Sequence, residues 1–177
     1  MQEKRYTIQT IIKSVFKENN HKIKKRLIYD NALFGGLSNK WIKLAFLILP
    51  FAMYAAIFNP VSFKELGIAQ AIVFYIILLV FAMQIIVAVS YFYNKKVLKT
   101  ANKAWEDYFP GIDFKMILSS GATPYADFKK YYEAALADSL VEDALKERMT
   151  EAFQQMETEN VHLVEAMKKD KEKREGK

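Results

Sequence analysis

The chain has 177 residues, 52% of them hydrophobic and 14% aromatic, with a formal net charge of +6 and no cysteine. That length suits one soluble domain, or a membrane hairpin with modest flanks. Without cysteine the chain forms no disulfide, holds no thiolate-bound metal and has no cysteine nucleophile.

The charge is unevenly placed. Residues 1–43 hold ten Lys/Arg against three acids, and residues 104–160 hold five against twelve. A nucleic-acid binder usually carries its basic patch on the folded body. Here the body is acidic and the bases flank apolar runs, so a membrane surface is the expected partner and nucleic acid is not.

Residues 1–40 are expected to form a cytoplasmic, basic, amphipathic arm. They show no apolar signal-peptide core with a small-residue cleavage site. Ile8, Ile11, Ile12, Val15 and Phe16 recur at helical spacing, with Gln9, Thr10, Lys13, Ser14 and Lys17 opposite them. A basic cluster follows in NHKIKKRLIY, with Ile23, Leu27 and Ile28 on one side. The pattern predicts a helix lying in the membrane interface or docked on a partner protein. Gly35-Gly36 is expected to be a flexible break.

The first crossing is expected over 41–58. Residues 44–58 read LAFLILPFAMYAAIF, without a charge. Trp41 and Lys43 suit the headgroup level, where a lysine extends its ammonium to water. Pro50 is expected to kink this helix, as bilayer helices tolerate. Residues 59–67, NPVSFKELG, form a short external loop, with Ser62 and Glu65 resembling a capping box. The second crossing, 68–93, ends in the aromatic belt Tyr91, Phe92 and Tyr93, followed by Lys95 and Lys96. Gln84 is the amide deep in this run, suited to a hydrogen bond with a neighbouring helix or to lining a pore.

Lysine asymmetry sets the orientation. The loop has the single base Lys64, whereas both flanks are lysine-rich, so both termini are expected in the cytoplasm.

Residues 94–167 are expected to be a cytoplasmic helical region. The second helix should run on to Pro110-Gly111, with Val97, Leu98, Ala101, Ala104, Trp105 and Tyr108 on one side. The stretch 114–118 suits a short helix or loop. Thr123-Pro124 predicts a helix start. Phe128 and Tyr132 fall on an aromatic face. Val141, Leu145, Met149, Ala152 and Met156 alternate steps of four and three, like a short coiled-coil seam. Phe128, Tyr132, Val141, Leu145, Met149 and Met156 are therefore the expected partner-binding surface. Glu159 and His162 have the spacing of a metal-binding helix, but such sites need a second helix of the kind, so no metal is expected. Residues 168–177 form a charged tail.

The expected fold is an all-α membrane protein: an antiparallel two-helix transmembrane hairpin, an amphipathic amino-terminal helix and a helical carboxy-terminal region. No residue pattern points to catalysis or to a cofactor. The expected role is a structural or scaffolding two-pass subunit of the bacterial inner membrane, part of a secretion, conjugation, motility or transport machine. The alternatives are a small homo-oligomeric channel or membrane-perturbing protein, or a non-catalytic membrane subunit of an enzyme. The expected partners are the lipid bilayer and other membrane subunits, or further copies of the chain.

Overall fold

A computed structural model describes residues 6–175; the first five residues of the basic arm and the last two of the charged tail lie outside the described residues. The chain forms two compact units. One combines the residues up to Leu27 with those from Leu98 onward; the other is Ile28–Val97.

The first unit begins with α1, Ile8–Val15, capped by the Thr7 hydroxyl, which accepts from the Thr10 N–H at 3.1 Å. Its apolar stripe is the predicted one, but it faces neither lipid nor another protein. Ile8, Ile11, Ile12 and Val15 are buried, and α1 packs on α6 (Glu142–Glu159) of the same chain. Apolar residues three and four apart need a cover of matching shape, and here the chain supplies it.

The basic cluster after α1 is not helical. Strand β1, Phe16–Asn19, pairs antiparallel with β2, Lys22–Lys25, so the fold is mostly helical rather than all-α. Asn20 and His21 form the turn, with φ of 48° and 58°. Two residues at positive φ give the mirror-image turn whose twist suits a hairpin. The hairpin buries Phe16 and Ile23 on one face and leaves Lys17, Lys22 and Lys24 exposed on the other. Arg26 extends the connection: its N–H donates to the Val15 carbonyl at 2.8 Å, and its Nε donates to the Phe16 carbonyl at 2.9 Å.

Helix α5, Phe128–Ala137, closes the open edge of β2. The Glu133 carboxylate accepts from the Ile23 N–H at 2.8 Å and faces Lys22 at 3.4 Å and Lys129 at 3.6 Å. Desolvation pushes the Glu133 carboxyl up. The Ile23 N–H and the two ammonium groups outweigh that and hold it below the ordinary carboxylate value. A depressed carboxyl contributes stability in full above its unfolded pKa of about 4.3, and loses it as pH falls through the folded value. Glu133→Gln is therefore expected to flatten the acid limb of the stability profile below about pH 4.3. Urea midpoints from pH 3 to 7 in mild detergent measure this, and an unchanged acid slope would refute it.

The centre of this unit is aromatic. Trp105 is fully buried, with ring centroids 4.4 Å from Phe109, 4.8 Å from Phe114 and 5.9 Å from Phe153. Phe153 in turn meets Phe109, Tyr125 and Phe128. Asp113 caps the short helix α4, Phe114–Leu118, whose Phe114 is fully buried. Thr123 does accept from the Tyr125 N–H, but it closes a turn; α5 starts only at Phe128. Helix α7, Val161–Glu175, is mostly exposed.

The second unit contains α2, Asn39–Ile57, and the greater part of α3, Pro60–Glu106. Helix α2 passes through Pro50 unbroken. The expected loop is largely helical. Asn59 Oδ1 accepts from the Val61 and Ser62 N–H groups, both at 3.0 Å, with Pro60 opening the helix. Asn59 thus does the capping expected of Ser62 and Glu65, and Ser62 Oγ instead accepts from Asn59 Nδ2 at 3.1 Å. Gly67, at φ 70° and ψ 168°, interrupts α3 with backbone only glycine adopts readily. Beyond it α3 is continuous to Glu106.

Candidate functional site

The stretch of 40 residues from Gly67 to Glu106 spans about 60 Å at 1.5 Å per residue. The hydrocarbon core of a bilayer is about 30 Å thick. Both α2 and this part of α3 are long and apolar enough to cross a membrane, and only 6% of the most apolar window of each is buried.

The two helices are antiparallel neighbours, as contacts at both ends establish. At one end the Tyr93 hydroxyl donates to the Leu37 carbonyl. At the other, Tyr75 meets Tyr54 and Phe58 edge-on at 6.2 and 6.0 Å, and Tyr54 stacks on Phe58 at 4.7 Å. From Tyr75 to Tyr93 the helix rises about 27 Å. Aromatic groups therefore stand at both ends of an apolar rod of nearly the thickness of a bilayer core. Tyr54 and Tyr75 had a signal in the sequence, because each is a tyrosine inside an otherwise apolar run.

One face of each helix is partly covered. On α2 these residues are Ile42, Phe46, Leu49, Met53 and Ile57; on α3 they are Ala71, Tyr75, Leu79, Ala82, Ile86 and Tyr93. With Ser90 included, the α3 set steps by four, four, three, four, four and three, an 11-residue repeat close to the 3.6-residue period of a straight helix. Small Ala71 and Ala82 are buried within it.

The predicted interface residues gather at one end of this hairpin. Trp41 (67% exposed), Lys43, Tyr91, Lys95 and Lys96 all have exposed side chains, and Tyr93 is half-buried through its bond to Leu37. Polar groups missed in the sequence fasten this end. The Tyr29 N–H donates to Asn94 Oδ1 at 2.8 Å, and Asn39 Nδ2 donates to the Ile28 carbonyl at 3.0 Å. The expected flexible Gly35-Gly36 break is an ordered turn. Gly35 has φ 80°, and the Gly36 N–H donates to the Asn31 carbonyl at 2.9 Å. Pro50 is half-buried, and Gln84 is exposed on the side of α3 away from α2.

The predicted partner surface is mostly core. Phe128, Tyr132, Leu145, Met149 and Met156 are at most 1% exposed, whereas Val141 is 57% exposed. Helix α6 buries its seam on α1 and α5 of its own chain, which leaves no free coiled-coil face there. Burial pushes the Tyr132 hydroxyl above the ordinary tyrosine value, with the Glu18 charge adding to it. Burial also pushes the Tyr125 hydroxyl up, and its donation to the Glu157 carboxylate at 2.6 Å and that carboxylate's charge add to the shift. Both stay neutral near pH 7, as core groups rather than acid–base groups. Among the described residues no three His, Asp or Glu side chains gather as a metal ion requires.

No family model, curated protein or solved structure matches this chain.

Proposed function

We propose that this chain is a two-pass subunit of the bacterial inner membrane, a scaffold that fixes a folded cytoplasmic domain to the bilayer within a larger assembly. The carrying observation is the pair of antiparallel apolar helices, long enough to span and almost bare along their sides. In water so much contiguous apolar surface would drive aggregation, whereas lipid or neighbouring helices cover it at no such cost. Lysines at the Trp41/Tyr93 end, with Lys64 near the other, favour a cytoplasmic location for both termini. The first unit contributes a stable body, and its assembly contacts would lie on its exposed side chains rather than on the buried seam of α6.

The absence of cysteine makes the topology directly measurable. In intact spheroplasts a membrane-impermeant maleimide should label Lys64→Cys, and should label Gln154→Cys only after permeabilisation. Crosslinking in cells followed by mass spectrometry should recover other membrane proteins. Equal labelling of the two sites would overturn the topology. A monodisperse monomer with no crosslinked partner would overturn the scaffold role.

A further inference from the structure

We propose that α3 associates with α3 of a second copy of this chain, through the outer stripe centred on Gln84. The inference rests on the membrane reading above. Gln84 lies two residues from both Ala82 and Ile86, so it is about 200° round the helix from each, on the side away from α2. Around it Val80, Met83, Val87, Tyr91 and Phe92 line a shallow apolar groove. Val80, Gln84, Val87 and Tyr91 follow steps of four, three and four, the spacing of a helix–helix seam with one polar position.

Gln84 stands about 10 Å below Tyr91 along the axis, inside the hydrocarbon when Tyr91 is at the headgroup level. Its amide makes no hydrogen bond among the described residues. An amide facing acyl chains is costly unless another helix answers it. This chain has few groups that can do so. In the α2 span the hydroxyl of Tyr54 belongs to the opposite end, in contact with Tyr75. On α3, Gln70 lies beside the turn at Gly67, and Ser90 is half-buried on the α2 side. Among the groups this chain supplies, the amide at the right depth is Gln84 of another copy. Two copies inserted with the same orientation bring these amides level. Each amide both donates and accepts, so the pair can form reciprocal hydrogen bonds.

Single cysteines test the geometry in native membranes, because the chain has none of its own. Val80→Cys and Val87→Cys lie on the stripe; Leu78→Cys and Ile85→Cys are exposed but off it. Mild oxidation should give disulfide-linked dimers at 80 and 87 at least about fivefold above those at 78 and 85. Adding Gln84→Leu should lower the dimer yield about tenfold, and Gln84→Asn should preserve most of it. Equal crosslinking at all four positions, no dimer at 80 and 87, or indifference to Gln84→Leu would each overturn the proposal. Carbonate extraction of the same membranes separates the two levels. A chain that stays with the membrane but does not crosslink loses only the self-association. A chain that carbonate releases loses the membrane reading, and this inference with it.

Discussion

Trp105→Ala is expected to unfold the first unit or leave it barely stable. The indole is fully buried and lies at the meeting point of Phe109, Phe114, Phe128 and Phe153. Its removal deletes the largest side chain of the core and leaves a hole that rigid rings fill poorly. Such truncations cost about 3–5 kcal/mol. A domain of ordinary stability has about 5–15 kcal/mol in total, so the loss consumes a large part of it. Trp41 is the control, because it is the other tryptophan and is 67% exposed. Trp41→Ala should leave the urea midpoint of the full chain, followed by circular dichroism in mild detergent, close to that of the parent. The two single-tryptophan variants also divide the fluorescence. Emission from Trp105 should be blue-shifted and lost on unfolding, and emission from Trp41 should be quenched by lipids brominated near the headgroup. A Trp105→Ala midpoint equal to the parent's would show that the aromatic cluster is not the stabilising centre.

Ile77→Arg is expected to have an equally large effect of a different kind. Ile77 is 58% exposed. In a protein surrounded by water, exchanging an exposed isoleucine for arginine changes stability little and improves solubility. In a bilayer the same exchange places a guanidinium near the middle of a span. That costs about 2.5–3.5 kcal/mol in membrane insertion, a factor of roughly 70 to 400 in the insertion equilibrium. The variant should therefore be lost from the membrane fraction or degraded, while Ile77→Leu behaves as the parent. Gel-filtration and membrane-fraction yields of the three proteins decide it. A soluble, folded and abundant Ile77→Arg protein would mean that α3 does not sit in lipid.

The parts of this fold legible in the sequence are those set by local chemistry. An uncharged run between lysines and aromatic rings defines an apolar helix from within, and α2 and α3 lie close to where that pattern puts them. The end of α3 near Pro110-Gly111 was legible for the same reason. The hairpin at Asn20-His21 was not. Ile23, Leu27 and Ile28 imitate helical spacing, and strands of four residues carry too little alternation to oppose it. The turn is specified by two residues at positive φ, a preference that Asn and His share only weakly with glycine.

The expected partner surface failed in a more instructive way. An apolar stripe states that something covers it, without stating whether the cover belongs to the same chain. Ile8, Ile11 and Ile12 suggested lipid or a partner protein; Leu145, Met149 and Met156 suggested another subunit. The two stripes belong to the same core, with α1 packed on α6. Their long separation in sequence hid the match. Gln84 is the opposite case. The sequence identified it as an amide that needs a neighbour, and the structure excludes α2 as that neighbour, because the two lie on different sides of α3.

The first unit is discontinuous: Ile28–Val97 is inserted between its two portions. During synthesis α1 leaves the ribosome long before α6 exists to cover it. From Ile12 to Met149 the delay is roughly 7–30 s at 5–20 residues per second. Both apolar helices emerge within that interval, so they leave the ribosome before the domain core can close. Nascent α1 keeps its isoleucines uncovered by α6 throughout that interval. The completed fold also records a successful order of events, because the two portions can meet only after the intervening hairpin has been made.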